Sequence, residues 1–288
     1  MQVTPAIHAL RHAFRIPVAP GIGLDRFVYS FFIAGETITL IDTGVAGCEK
    51  TIFDSIRSIG RDPVEISLVI LTHAHPDHIG AAKAIRDATG CTVMAHPAGR
   101  AWIEDIDLQY RERPVPGFAT LAGSSVPVDH EIADGDVIDP DGTGAYEIQV
   151  LHTQGHSADS LSLHLASEKA IFCGDAVPVY GGLPVYDDAE ASVQAVKRLK
   201  AIRDIRVLLS AWDEPKHGAD VSETMEKALL YLQVVSDTVA AAAAEGGNLM
   251  ETTQFAAARL GLPPQAVSPL LARTFSAVLK SRTDHDRE

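Results

Sequence analysis

Four side chains able to bind a metal stand within six residues, in the run Thr72-His73-Ala74-His75-Pro76-Asp77-His78. The run follows Ser67–Leu71 (SLVIL), a short, continuously apolar stretch of the kind that forms a strand buried on both faces. Alternate side chains of an extended segment point the same way, so His73 and His75 can meet one ion. Pro76 favours an extended His75 and redirects the chain, which sends Asp77 and His78 to a second, adjacent position. Imidazole and carboxylate suit zinc, iron or manganese. The competing reading is a polar loop that holds histidines by accident. Three His and one Asp at this density, at a strand end, argue against it.

The 288 residues suffice for about two domains, or for one large domain with an appendage. The hydrophobic fraction of 46% and charged fraction of 22% are those of an ordinary globular chain, which excludes a disordered chain, a collagen and a coiled-coil rod. Twenty-four basic against 38 acidic residues give a net charge of −14. Nucleic acids and anionic membranes are bound mainly through Lys and Arg, so neither is expected as a partner. No apolar run approaches the roughly 18 residues needed to cross a bilayer. Met1–Pro20 contains His8, Arg11, His12 and Arg15 where a secretory leader would have a continuous apolar region. Cys48, Cys91 and Cys173 are too few and too scattered for a disulfide framework, and a cytoplasmic location is expected.

Strand and helix patterns alternate around the histidine run. Phe27–Ala34 and Thr37–Ile41 read as a hairpin with a two-residue turn at Gly35-Glu36. Glu49–Ile59 has helical spacing, as has Ile79–Ala88, and Cys91–Ala95 reads as a strand. Residues 111–144 are rich in Pro, Gly and Asp and read as an extended surface excursion, a candidate lid. Strands return at Tyr146–Leu151, Leu161–Ala166, Ala170–Cys173 and Val207–Ser210, with a helix at Ala189–Ile202. From Gly218 only helical pattern is found: Val221–Ala244, Thr252–Leu260 and Pro264–Lys280. The expected division is an α/β catalytic domain at 1–217 and a helical C-terminal domain at 218–288. Leu229, Leu230, Leu232 and Val235 form an apolar face on which such a tail can pair with a second copy as a homodimer.

Three further stretches follow in order: Leu40-Ile41-Asp42-Thr43-Gly44, His152-Thr153-Gln154-Gly155-His156-Ser157 and Phe172-Cys173-Gly174-Asp175. With the HxHxDH pattern at 73–78 they resemble the motif set of the metallo-β-lactamase superfamily of hydrolases. The resemblance implies a four-layer αβ/βα sandwich with the site at one edge, between the sheets. It implies one metal held by His73, His75 and His156, a second by Asp77 and His78, and a bridge at Asp175. Two zinc ions per chain are the expected occupants, with iron or manganese as alternatives. Asp42 is expected to be buried and to orient the histidine loop. Asp77 is the candidate catalytic residue, ligating and handling the proton of the leaving group. A water between two such ions loses a proton near neutral pH and becomes the nucleophile.

The sequence departs from that pattern late in the chain. The superfamily usually presents Gly-His after a late strand, to complete the second metal position. Here Val207–Ser210 is followed by Ala211-Trp212-Asp213-Glu214-Pro215-Lys216-His217. Asp213 is one candidate ligand and His217, on a loop curling back, another; a position with neither is the third outcome.

Asp175 at the bridge resembles the glyoxalase II and lactonase branches, so the expected activity is hydrolysis of a small ester, thioester or lactone. A small-molecule phosphodiesterase and a mononuclear-iron sulfur dioxygenase of the same fold are the alternatives. The basic residues that would hold glutathione in glyoxalase II are not recognisable in this tail.

Overall fold

Strands buried on both faces, more than any single motif, build this molecule. The computed structural model describes residues 1–19 and 22–285; Pro20, the last residue of the segment weighed as a leader, lies outside them. One six-stranded sheet runs in chain order: β1 (Ile7–Ala19), β2 (Ile22–Ala34), β3 (Ile38–Ile41), β4 (Ile66–Ile70), β5 (Thr92–Ala95) and β6 (His130–Glu131). The second holds β7 (Val137–Ile138), β8 (Ile148–His152), β9 (Leu161–Leu165), β10 (Ala170–Gly174), β11 (Val207–Ser210) and β12 (Lys216–His217). Pairing is parallel from β3 to β6 and between β10 and β11, where helices make the crossovers.

All four residues of β3 are buried. Leu40 packs outward with Ile52 and Ile56 of α1 (Glu49–Ser58), and Ile41 packs inward against the other sheet. In β10, Ile171 and Cys173 face an outer helical layer while Phe172 faces the first sheet. Strands covered on both sides need apolar residues at every position, which is why they read as continuous runs. The result is helix, sheet, sheet, helix, the four-layer αβ/βα sandwich expected.

On the first sheet's outer side, α1 is joined by α2 (Pro76–Ile79) and α3 (Ala82–Thr89). Between β5 and β6 come α4 (Arg100–Glu104), α5 (Ile106–Glu112) and α6 (Phe118–Leu121). The other outer layer is α7 (Ala189–Ala201) with the tail helices α8 (Ala219–Ala244), α9 (Leu249–Arg259) and α10 (Pro269–His285). Val221, Met225, Val235 and Phe275 of the tail share one apolar cluster with Val196 of α7 and with Ile171 and Leu208 of the sheet. Of the apolar face considered for a homodimer, Leu232 and Val235 are buried in this cluster and Leu229 packs against it; Leu230 is 54% exposed.

Two sequence readings are corrected here, and one element that the sequence left unassigned is added. The segment before residue 20 is a 13-residue strand, β1, paired along its length with β2. Leu10, His12, Phe14 and Ile16 form its inward row, and the charged and imidazole side chains within it hide the alternation. The β2–β3 connection has three residues, because Ala34 pairs with Ile38. The excursion at 111–144 is not extended over the surface: it carries α6, β6 and β7 and buries Phe118, Leu121, Val126, Val128 and Ile132. Five apolar anchors spread among Pro and Gly give no period to read.

Candidate metal centre

The loop after β4 is held from both ends by one carboxylate. Asp42, at the end of β3, accepts from Thr72 N–H on Oδ1 (2.8 Å) and from Thr72 Oγ1 on Oδ2 (2.7 Å). The same Oδ2 accepts from His78 Nδ1 at 2.8 Å. Asp42 adopts φ 58°, a left-handed conformation that Asp tolerates better than most side chains and that turns its carboxylate back under the loop. Between these anchors, Ala74 N–H donates to Asp159 Oδ2 (2.7 Å), and Gln109 Nε2, from α5, donates to the Ala74 carbonyl. His75 is extended (φ −62°, ψ 147°) and begins α2, with Pro76 as its first residue.

Each ring nitrogen's partner then fixes its neighbour. His73 Nδ1 lies 3.1 Å from Thr72 Oγ1, whose own proton goes to Asp42, and His156 Nδ1 donates to the Val185 carbonyl at 2.7 Å. That leaves bare Nε2 lone pairs on both rings. They meet His75 Nδ1, at 3.0 Å from His73 and 2.8 Å from His156. Three imidazole nitrogens converging in a buried place can be satisfied together by a cation. Beside them, His78 Nε2 lies 3.3 Å from Asp175 Oδ1 and 3.7 Å from Asp77 Oδ2, while Asp175 Oδ2 lies 3.3 Å from His156 Nε2. Asp175 thus stands between two groups, with one oxygen toward each. His78 Nε2 and Asp175 Oδ1 are buried without a hydrogen-bond partner among the described residues, as ligand atoms awaiting an ion are.

Charge is arranged to match. Burial lowers the pKa of His73 and of His75, so both stay neutral and able to ligate. Burial would lower His78 too, but Asp175, Asp42 and Asp77 outweigh it and raise its pKa well above the ordinary value. Burial would raise Asp175, but His78, His156 and His73 hold it well below the usual carboxylate range. Asp77 is raised, chiefly by burial. Two carboxylates that draw a proton onto His78 make this a pocket built for positive charge, which an ion in place of that proton would supply.

The sequence model of the metallo-β-lactamase superfamily matches residues 23–211, two thirds of the chain. The chain belongs to the metallo-β-lactamase superfamily. It is 25% identical over 223 residues to a hydroxyacylglutathione hydrolase of Cereibacter sphaeroides, covering 76% of this chain and 75% of that one. It is 31% identical over 173 residues to the probable metallo-hydrolase YqgX of Bacillus subtilis, covering 59% and 72%. A metallo-β-lactamase family protein of Thermus thermophilus superposes with a TM-score of 0.73 at 17% identity, over 97% of this chain and 95% of its own. That coverage extends the shared fold through the helical tail.

Against the superfamily pattern, the late-strand position is filled by Trp212. Its Nε1–H donates to Asp175 Oδ2 at 3.0 Å, and its ring packs against Phe14 and Phe27 of the β1–β2 hairpin. Neither sequence candidate reaches the centre. Asp213 Oδ1 is taken by Lys216 Nζ (2.9 Å) and Glu214 N–H (2.8 Å), and His217 is exposed on β12, paired with Val207. Among the described residues, the two groups with ligand atoms in reach of one ion are His73, His75, His156 and His73, His78, Asp175.

Four contributors were not singled out from sequence: Asp159, Gln109, Arg113 and Val185. Asp159 stands three residues after His156 in a Ser-rich turn, where Ser157 Oγ also donates to it (2.7 Å), and that proximity was a usable signal. Val185 acts through its backbone carbonyl, which no residue type marks. Arg113 comes from the aperiodic stretch at 111–144, and Gln109 from the short helix that leads into it.

Proposed function

We propose that this protein is a metal-dependent hydrolase of a small ester, thioester or lactone. The observation that carries the reading is the convergence of His73 Nε2, His75 Nδ1 and His156 Nε2 beside the Asp175–His78 pair, with the far nitrogens of His73, His156 and His78 already committed to the protein. His73, His75 and His156 would hold one divalent ion, and Asp77, His78 and Asp175 a second; zinc is our assignment for both. Ions held there supply a water of lowered pKa and polarise the attacked carbonyl. The thioester arm is supported by the likeness to hydroxyacylglutathione hydrolase.

The remaining work belongs to the chain. Asp42, Asp159 and Gln109 hold the His73–His78 loop rigid, so the imidazoles need no reorganisation. Asp77, whose side chain is 14% exposed, is more open than Asp175 or His78 and is placed to take a proton and return it to the leaving group. Trp212 and the hairpin aromatics wall the Asp175 side with apolar surface, which excludes bulk water. Among the described residues no helix is long and apolar enough to cross a membrane. The cysteines at 48, 91 and 173 are free and buried, which supports our cytoplasmic placement.

Metal content by mass spectrometry, on protein purified without chelator, tests the reading together with a panel of thioester, lactone and bis-p-nitrophenyl phosphate. About two zinc ions and acyl hydrolysis are expected. His75→Ala should lose metal and turnover together; normal values of both would overturn the assignment. Trp212 in the place of a ligand favours a single-iron reading as the second choice, marked by one iron per chain and oxygen uptake on a persulfide.

A further inference from the structure

Arg113 stands outside the metal-binding set, yet it is a charge buried beside it. Only 7% of the residue is exposed. Among the described residues its guanidinium has no ion pair, and its buried Nε has no hydrogen-bond partner. Its position is fixed: Arg113 N–H closes the last turn of α5 on the Gln109 carbonyl (2.8 Å), and Gln109 is the residue bonded to Ala74, between His73 and His75. Arg113 caps α5 one turn beyond Gln109, with the non-helical backbone of a helix end (φ −138°, ψ 69°). The acids around it are Asp187, Asp77 and Asp175. Asp187 is already taken by Arg273 of the tail, in a two-pronged pair at 2.8 and 2.9 Å, and Asp77 and Asp175 belong to the metal centre. Arginine stays charged when buried, and a buried charge without a partner is a costly arrangement unless a ligand completes it.

We propose that Arg113 seats a carboxylate of the substrate, so that the hydrolysed compound carries a free carboxylate away from its scissile acyl bond. The proposal rests on the hydrolase reading for the identity of that bond, not for the anion seat. A guanidinium presents parallel N–H groups that match the two oxygens of a carboxylate. A phosphate dianion fits less well, because the charges of Asp187, Asp77 and Asp175 act on the same guanidinium and the chain carries a net charge of −14.

The test compares S-acetyl-3-mercaptopropionate with its neutral amide, S-acetyl-3-mercaptopropionamide, on the metal-loaded protein. The ratio of kcat/KM, acid over amide, should be tenfold or more in the wild type, near one in Arg113→Met, and intermediate in Arg113→Lys, which keeps charge without the fork. An equal ratio in wild type and Arg113→Met overturns the proposal. So does an Arg113→Met variant that loses its metal together with the preference, because Arg113 would then be a support of the histidine loop. Titration calorimetry with the uncleavable thioether 3-(ethylthio)propionate and its amide supplies a readout free of turnover. If neither thioester is cleaved but the acid binds the wild type and not Arg113→Met, the hydrolase reading fails and the carboxylate seat stands. Tighter binding of 3-(ethylthio)propylphosphonate than of the carboxylate would overturn the ligand class.

Discussion

Asp42 works from a backbone conformation that few side chains tolerate, and every bond it makes is to a group that cannot turn elsewhere. Asp42→Ala would leave the Thr72 N–H and the His78 Nδ1–H buried and unpaired, and would put a Cβ without polar compensation at φ 58°. Each buried donor left alone costs about 1–3 kcal/mol. We expect a loss of about 3 kcal/mol or more in urea unfolding of the metal-free protein, and metal binding weaker by about 10- to 100-fold. Asp42→Asn, which still fits the left-handed conformation and still accepts from Thr72 N–H, should recover only part of the stability, because its NH2 replaces the oxygen that accepts from His78 Nδ1. Unchanged metal affinity in Asp42→Ala would show that the loop needs no anchor. His12 sets a second residue-scale effect. It lies in β1 with Nε2 at 2.7 Å from Ser30 Oγ, its Nδ1 buried without a partner among the described residues, and burial pushes its pKa from 6.5 down to about 4. A pKa lowered by folding means that the unfolded chain binds the proton first. This contribution is therefore whole above pH 6.5 and is lost as pH falls toward 4, at about 1.4 kcal/mol per unit and about 3 kcal/mol in all. His12→Gln, which keeps a partner for Ser30, should flatten that part of the acid limb in urea midpoints measured from pH 7 to 4.

At the scale of elements, the strand ends carry the chemistry, and the late strand is where this chain differs from its superfamily. Trp212 follows β11 at the position where a ligand would complete the second ion's set, and it bonds Asp175 instead. Trp212→His replaces an indole donor with an imidazole in reach of the same oxygen. The second metal dissociation constant should fall by tenfold or more, read by competition with a chromophoric chelator. Trp212→Phe, which merely frees Asp175, should not do so, and Asp213→Ala should leave stoichiometry as it is, because Asp213 is committed to Lys216. A second affinity that does not move in Trp212→His would mean that the loop after β11 cannot bring any side chain to the ion. The same elements explain what the sequence made legible. His73, His75, Asp77 and His78 lie in one short run that local pattern alone picks out, whereas Asp42, His156 and Asp175, each closing a strand or turn marked by Gly, were legible only through the likeness of their motifs to those of the superfamily. Trp212 was visible only as a departure. Gln109 acts across 35 residues onto the Ala74 backbone from a helix of seven residues, with Arg113 capping that helix, and nothing in their own neighbourhood announces that contact. β1 escaped for a related reason, since its inward row includes His12, which counts as polar in any hydrophobic pattern although it is buried.

At the scale of the whole molecule, the question is whether the tail that begins near Gly218 is a body of its own. Packing argues that it shares its stability with the sheet beneath it. Phe275 and Leu271 of α10 sit in the same apolar cluster as Val196 of α7 and Ile171 of β10, and the next residue of that strand, Phe172, belongs to the core between the sheets. A strand that feeds both cores cannot lose one without disturbing the other. Phe275→Ala removes a fully buried ring and should cost about 3–5 kcal/mol. The two tryptophans, Trp102 and Trp212, both lie before residue 218, so fluorescence reports the body, whereas far-UV circular dichroism draws about half of its helix signal from α8, α9 and α10. At fixed metal content, Phe275→Ala should move both midpoints together and by the same amount, although the substitution lies 63 residues beyond the nearer tryptophan in sequence. Helix signal lost first, with fluorescence unmoved, would instead mark 218–288 as a separately folding unit, and would make the apolar cluster that the tail shares with α7 and β10 a docking surface rather than part of one core.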